Sequence, residues 1–133
     1  MNTLWWLLAC TVPSPPEGVA VPAPDPACVV EGAFPPTAAA LVEASGPELA
    51  ACLTRTEGAF ADGFYLLNVS FTASLPAGGS LARGRSWSGP VHPDPEACRC
   101  IDGVLRRLEE GNLELQPTGE GGVSCALALA APG

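Results

Sequence analysis

The chain has 133 residues, 47% of them hydrophobic, with 14 acidic residues against 6 basic ones and a net charge of −8. All six cations are arginines, so the lysine-dependent phosphate loop is excluded. Neutralisation of a nucleic-acid backbone and a polybasic membrane mode are excluded as well. The length suits one domain plus a tail.

The chain opens on the apolar run Leu4-Trp5-Trp6 and the tetrad Leu7-Leu8-Ala9-Cys10. Pro13, Pro15, Pro16, Pro22, Pro24 and Pro26 follow closely. A hydrophobic segment, a small-residue tetrad closing on cysteine and a proline-rich stretch in that order resemble a bacterial lipoprotein signal. The resemblance implies that residues 1–9 form a lipoprotein-type signal peptide and that Cys10 carries the lipid. Residues 10–27 would be a Pro-rich, disordered tether, because proline lacks the N–H donor and fixes φ. Residues 28–133 then form the folded domain. The opening run is too short to span a bilayer, which takes roughly 20 apolar residues.

Cys28-Val29-Val30 is a short β-like piece cut off by Gly32 and Pro35-Pro36. Thr37 is placed to cap a helical stretch over 38–44. Ser45-Gly46-Pro47 interrupts it, and Pro47 suits the first turn of a second helical stretch. There Leu49, Cys52 and Leu53 share one face. Period-two alternation predicts a strand over 64–72, with Leu67, Val69 and Phe71 facing one way. Pro76-Ala77-Gly78-Gly79 is a turn signal. A second strand over 80–88 carries Leu81, Arg83, Arg85 and Trp87 at alternate positions. The pair reads as a hairpin with one exposed, partly cationic face.

Asp94, Pro95 and Glu96 form a helix-start signal. The helix that follows runs over 95–110, with Ala97, Cys100, Ile101, Val104, Leu105 and Leu108 as its apolar stripe. Gly111-Asn112 ends it. A short extended piece over 113–116 and a turn at 119–122 lead to a last strand over 123–130. The expected fold is α+β: two helices packed on one face of a three-stranded antiparallel sheet, in the order α-β-β-α-β.

From Leu41 to Ala130 this order resembles the C-terminal domain family of the gliding-motility proteins AgmX and PglI. That family is similar in fold to the C-terminal domain of the energy-transducing protein TonB. The residues that carry the resemblance are the cysteine-bearing helix Leu49-Ala50-Ala51-Cys52 and the strand opened by Gly63-Phe64-Tyr65. The turn Gly78-Gly79 into Ser80-Leu81-Ala82-Arg83, the pair Cys100-Ile101 in the second helix and a closing strand complete the set. Leu53, Leu115-Gln116-Pro117 and the span Cys125 to Leu129 depart from it, because the family usually carries aromatics there. The resemblance implies a Cys52–Cys100 disulfide tying the helices together, and a role in envelope or motility machinery.

Six cysteines in an exported chain read as a disulfide framework. If Cys10 is lipidated, five remain: two bridges and one free thiol. If it is not, six can form three. Cys98 and Cys100 are two apart on a helix and point to different faces, so Cys98 takes another partner, Cys28 or Cys125. Tying down the N-terminal piece favours Cys28–Cys98, which leaves Cys125 free or otherwise paired. A zinc site using His92, Cys98, Cys100 and one further cysteine is disfavoured, because Cys-x-Cys on a helix presents its sulfurs poorly to one ion. No metal and no cofactor are expected. Ser86 or Ser88 with His92 and Asp94 lacks a nucleophile elbow, and no enzymatic activity is expected. Asn68-Val69-Ser70 fits the glycosylation sequon but lies mid-strand, where Asn68 reads as a polar-face residue.

Arg83, Arg85 and Trp87 are the candidate contact surface, since Trp and Arg are enriched at binding hot spots. The expected function is that of a non-enzymatic, lipid-anchored bacterial envelope protein. It would face the periplasm or cell surface and bind an envelope protein partner through a small TonB-C-terminal-like domain. The alternative is a secreted, disulfide-stapled globular domain acting as an inhibitor or small-ligand binder.

Overall fold

The computed structural model describes residues 24–132. Its elements are β1 (Ala27–Gly32), α1 (Thr37–Ala44), α2 (Gly46–Cys52), β2 (Phe64–Ser74), β3 (Ala82–Ser88), α3 (Pro95–Gly111) and β4 (Gly121–Ala130). A single 3₁₀ turn, Leu113–Leu115, lies between α3 and β4. Residues 1–9, Cys10 and most of the proline-rich segment lie outside the described residues.

The class is α+β, but the sheet has four strands, in the order β1-β4-β2-β3, with every neighbouring pair antiparallel. The three-stranded expectation is corrected by β1, which begins at Ala27, one residue before the expected domain start, and pairs with β4 from Ala27↔Ala126 to Gly32↔Gly121. The alternation that makes it a strand is present but short. Cys28 and Val30 are half-buried against the core, while Val29 and Glu31 face out. An edge strand buries only half of one face, so two inward residues suffice once β4 supplies the hydrogen bonds. The far end of this pair is glycine on glycine. Gly32 has φ +64°, and a Cβ there would collide with the Glu120 carbonyl oxygen and the Gly121 Cα.

One face of the sheet carries the core. Tyr65, Leu67, Val69 and Phe71 of β2 and Val123, Leu127 and Leu129 of β4 are buried against the helices. Val42 of α1, Leu49 of α2, and Ile101, Val104 and Leu105 of α3 supply the other layer. The first helical arm bends at Ser45, whose hydroxyl donates to the Val42 carbonyl at 2.6 Å. Pro47 lies in the first turn after the bend and has no N–H to continue the ladder. Thr37 is the first helical residue and makes no side-chain cap. Asp94 does cap α3, its Oδ1 accepting from the Ala97 N–H at 2.9 Å. At the other end Asn112 Nδ2 donates to the Leu108 carbonyl at 2.7 Å.

Two disulfides lock this arrangement. Cys52–Cys100 joins α2 to α3, and Cys28–Cys125 joins β1 to β4. The second corrects the expected Cys28–Cys98 bridge: Cys28 and Cys125 face each other directly in the β1–β4 register. Cys98, not Cys125, is the free thiol among the described residues. Its Sγ lies 3.6 Å from the Pro93 carbonyl oxygen, in the first turns of α3, on the other side of that helix from α2. The sequence separations of 97 and 48 residues correspond to about 4.7 and 4 kcal/mol of chain-entropy stabilisation for each bridge alone.

Candidate interaction surface

The helices cover one face of the sheet and leave three surfaces open: the opposite face and the outer edges of β1 and β3. The open face is built from rungs read straight off the register. Ser86, Ser70, Ser124 and Val29 form one, and Ser88, Asn68, Ala126 and Ala27 the next. Ser70 and Ser124 share a hydrogen bond between hydroxyls at 3.2 Å. All of these residues except Val29 line a shallow depression of about 530 Å³. Asn68 is exposed on this face. Ser86 and Ser88 are also here, whereas the Asp94 carboxylate is engaged as the α3 cap and His92 lies exposed in the loop before it.

β3 has one neighbour in the sheet, β2. Six of its seven residues are exposed and Trp87 is half-buried. Among the described residues, no backbone hydrogen bond from another element reaches its outer edge. Each strand edge alternates unpaired N–H and C=O groups, and such an edge is a template for a further strand.

The sequence singled out Arg83, Arg85 and Trp87 as one exposed, partly cationic face; Arg83 and Arg85 are exposed, Trp87 is half-buried, and the row lies on the helix side of the sheet. All three lean over the helical layer. Trp87 Nε1 donates to Asp102 Oδ1 at 2.7 Å, and Arg85 Nη1 pairs with Glu109 Oε1 at 2.7 Å. Arg83 Nη1 sits 3.5 Å from Gln116 Oε1. Alternation places the three on one face without saying which. Long amphipathic stems cover apolar surface near α3 while their polar ends reach its carboxylates. The small residues Ala82, Gly84, Ser86 and Ser88 are left for the open side.

Two further cations lie within one helical turn of the α3 residues that touch β3, and were not singled out in the sequence. On α3, Arg99 and Arg106 lie at i−3 and i+4 from Asp102, and Arg106 lies at i−3 from Glu109. Residues at these spacings share a helix side, and Asp102 and Glu109 touch β3. The opposite side of α3 meets α2, through Cys100–Cys52 and the Arg107–Glu48 pair at 3.1 Å. The i, i+3, i+7, i+10 run Arg99, Asp102, Arg106, Glu109 was the available signal.

Cys100, a member of the alternative metal set, is committed to its disulfide. No group of three or more His, Cys, Asp or Glu side chains able to hold a metal ion occurs among the described residues. Behind β3, Tyr65 is fully buried, and its hydroxyl donates to the Val91 carbonyl at 2.6 Å. Burial first, and the nearby Cys98 thiol second, raise the phenol above its ordinary value of 10.0. This bond fastens the loop between β3 and α3. Gly89 lies so close to the Tyr65 ring that a Cβ there would collide with it.

No protein-family model, curated protein or solved structure matches this chain.

Proposed function

We propose that this protein is a non-enzymatic interaction module of the bacterial envelope. In this reading it is held to a membrane by lipid on Cys10 and binds a protein partner by strand addition at the outer edge of β3. The observation that carries the reading is a seven-residue edge strand with no neighbour on one side and no covering loop or helix bonded to it. An extended segment laid along that edge would gain main-chain hydrogen bonds, with side chains alternating between the open face and the α3 side. Two disulfides suit an oxidising compartment. The order of elements from α1 to β4 keeps the resemblance to the AgmX and PglI C-terminal domains as its motivation. No helix of the described residues is long and apolar enough to cross a membrane. Attachment would therefore come through Cys10, with the proline-rich segment as spacer.

Site-specific photo-crosslinking in the native cell tests the contact. A photoreactive residue at Ala82 or Ser88, at the two ends of β3, is expected to give one shared adduct. Controls at Ser70, in the middle of the open face, and at exposed Glu57 are expected to give none. An adduct from Ser70 alone would move the contact to the open face, and adducts from no position would remove the interaction reading.

A further inference from the structure

We infer that the segment received by the β3 edge is acidic. The inference rests on the strand-addition reading and adds the chemistry of the partner.

The six arginines divide into two groups. Arg55, Arg85 and Arg107 are in ion pairs, with Glu96, Glu109 and Glu48. Arg83, Arg99 and Arg106 have no carboxylate within ion-pair distance among the described residues. Arg83 lies on β3, and Arg99 and Arg106 lie on α3 within one helical turn of Asp102, which bonds Trp87 of β3. All three are exposed.

The strip these residues define is unlike the rest of the molecule. By helical spacing it holds Arg83, Arg85, Arg99 and Arg106 against Glu96, Asp102, Glu109 and Glu110, while the other ten acidic residues share two arginines. Three of its four carboxylates are already engaged, Glu96 by Arg55, Asp102 by Trp87 and Glu109 by Arg85. In a chain of net charge −8, three arginines without ion pairs near an unpaired strand edge are complementary to an extended anionic segment. The edge supplies main-chain hydrogen bonds without regard to sequence, and the arginines supply the preference for carboxylate side chains. The same field disfavours edge-to-edge pairing of two copies, because antiparallel β3 strands would bring Arg83 and Arg85 of both close together.

The test is amide chemical-shift mapping on the isotope-labelled full chain, titrated with three synthetic heptapeptides. These alternate Val with Glu, with Gln or with Arg. The Glu peptide is expected to shift amides of Ala82–Ser88 and to bind roughly tenfold more tightly than the Gln peptide at low salt. The margin should shrink as salt screens it, and the Arg peptide should bind most weakly. In Arg83→Gln/Arg106→Gln, which removes cations that hold no ion pair in the fold, the Glu and Gln peptides should bind within about twofold of each other. Equal affinity of the Glu and Gln peptides for the unaltered chain, with β3 shifted by both, would overturn the acidic preference and leave strand addition standing. Absence of β3 shifts with all three would overturn both. Binding to phosphatidylglycerol vesicles without any peptide-induced shift at β3 would assign the strip to a lipid surface and overturn the inference.

Discussion

At Tyr65 one residue joins packing, loop position and pH dependence. It is the only tyrosine in the chain, so phenolate absorbance reads it without interference from another phenol. Burial and the neighbouring Cys98 thiol raise its pKa in the fold. The native state therefore keeps a proton that the unfolded chain has lost above pH 10, and stability falls as pH rises there. Its stabilising contribution is complete below the ordinary phenol value and is lost as pH climbs through the raised one. Spectrophotometric titration of the folded chain should give a midpoint above 10 that returns to the ordinary value in denaturant. Tyr65→Phe should remove that part of the alkaline slope. A native midpoint at the ordinary value would mean that the phenol is open to water and that the bond to Val91 does not hold the loop. Local chemistry of this kind was only partly legible in the sequence. Asp94 was readable as a cap because its partner, the Ala97 N–H, is three residues away. The Tyr65 bond spans 26 residues, and nothing in the local pattern of β2 marks Val91 as its acceptor.

At the scale of elements, β1 shows where local reading fails and why. Four residues of alternation between a proline-rich stretch and Pro35-Pro36 are too few to define a strand. Its place is fixed by β4, nearly a hundred residues on, through hydrogen bonds and the Cys28–Cys125 bridge. That bridge sits at the second residue pair of the strand, one step from the proline-rich segment. Any peeling of β1 that begins at Ala27 would stop there. Cys28→Ala/Cys125→Ala should lower stability by about 3–5 kcal/mol. It should also release the amides of Ala27–Gly32 to exchange while the β2–β4 pair stays protected. A loss below about 1 kcal/mol with β1 still protected would show that strand pairing alone holds it. The longer elements were legible for the opposite reason. β2 and α3 carry their own period over 11 and 17 residues, and their buried faces match it. The row Arg83, Arg85 and Trp87 lies on one side of β3, as its alternation implies, and that side is the one that meets α3. Period two fixes which residues travel together, whereas the position of α3 decides which set it meets.

For the whole molecule, the two-layer build separates tasks between surfaces. The helical layer and its disulfide seal one face of the sheet. β1, which begins at Ala27, is bridged covalently to β4 and lies at the opposite edge of the sheet from β3. A load entering through residues 10–26 would reach the central strand β4 through Cys28–Cys125 and leave β3 undisturbed for a partner. In the proposed reading, that division is the physical content of an anchored interaction module, which would need an oxidised chain attached through Cys10. The measurement that tests it most directly is the intact mass of the protein purified from its native membrane, with and without reduction. The expected result is a diacylglyceryl adduct on an N-terminal Cys10, a deficit of four hydrogens from the two disulfides, and one alkylatable thiol at Cys98. A chain that retains Met1, carries no lipid and has all six cysteines reduced would contradict the account.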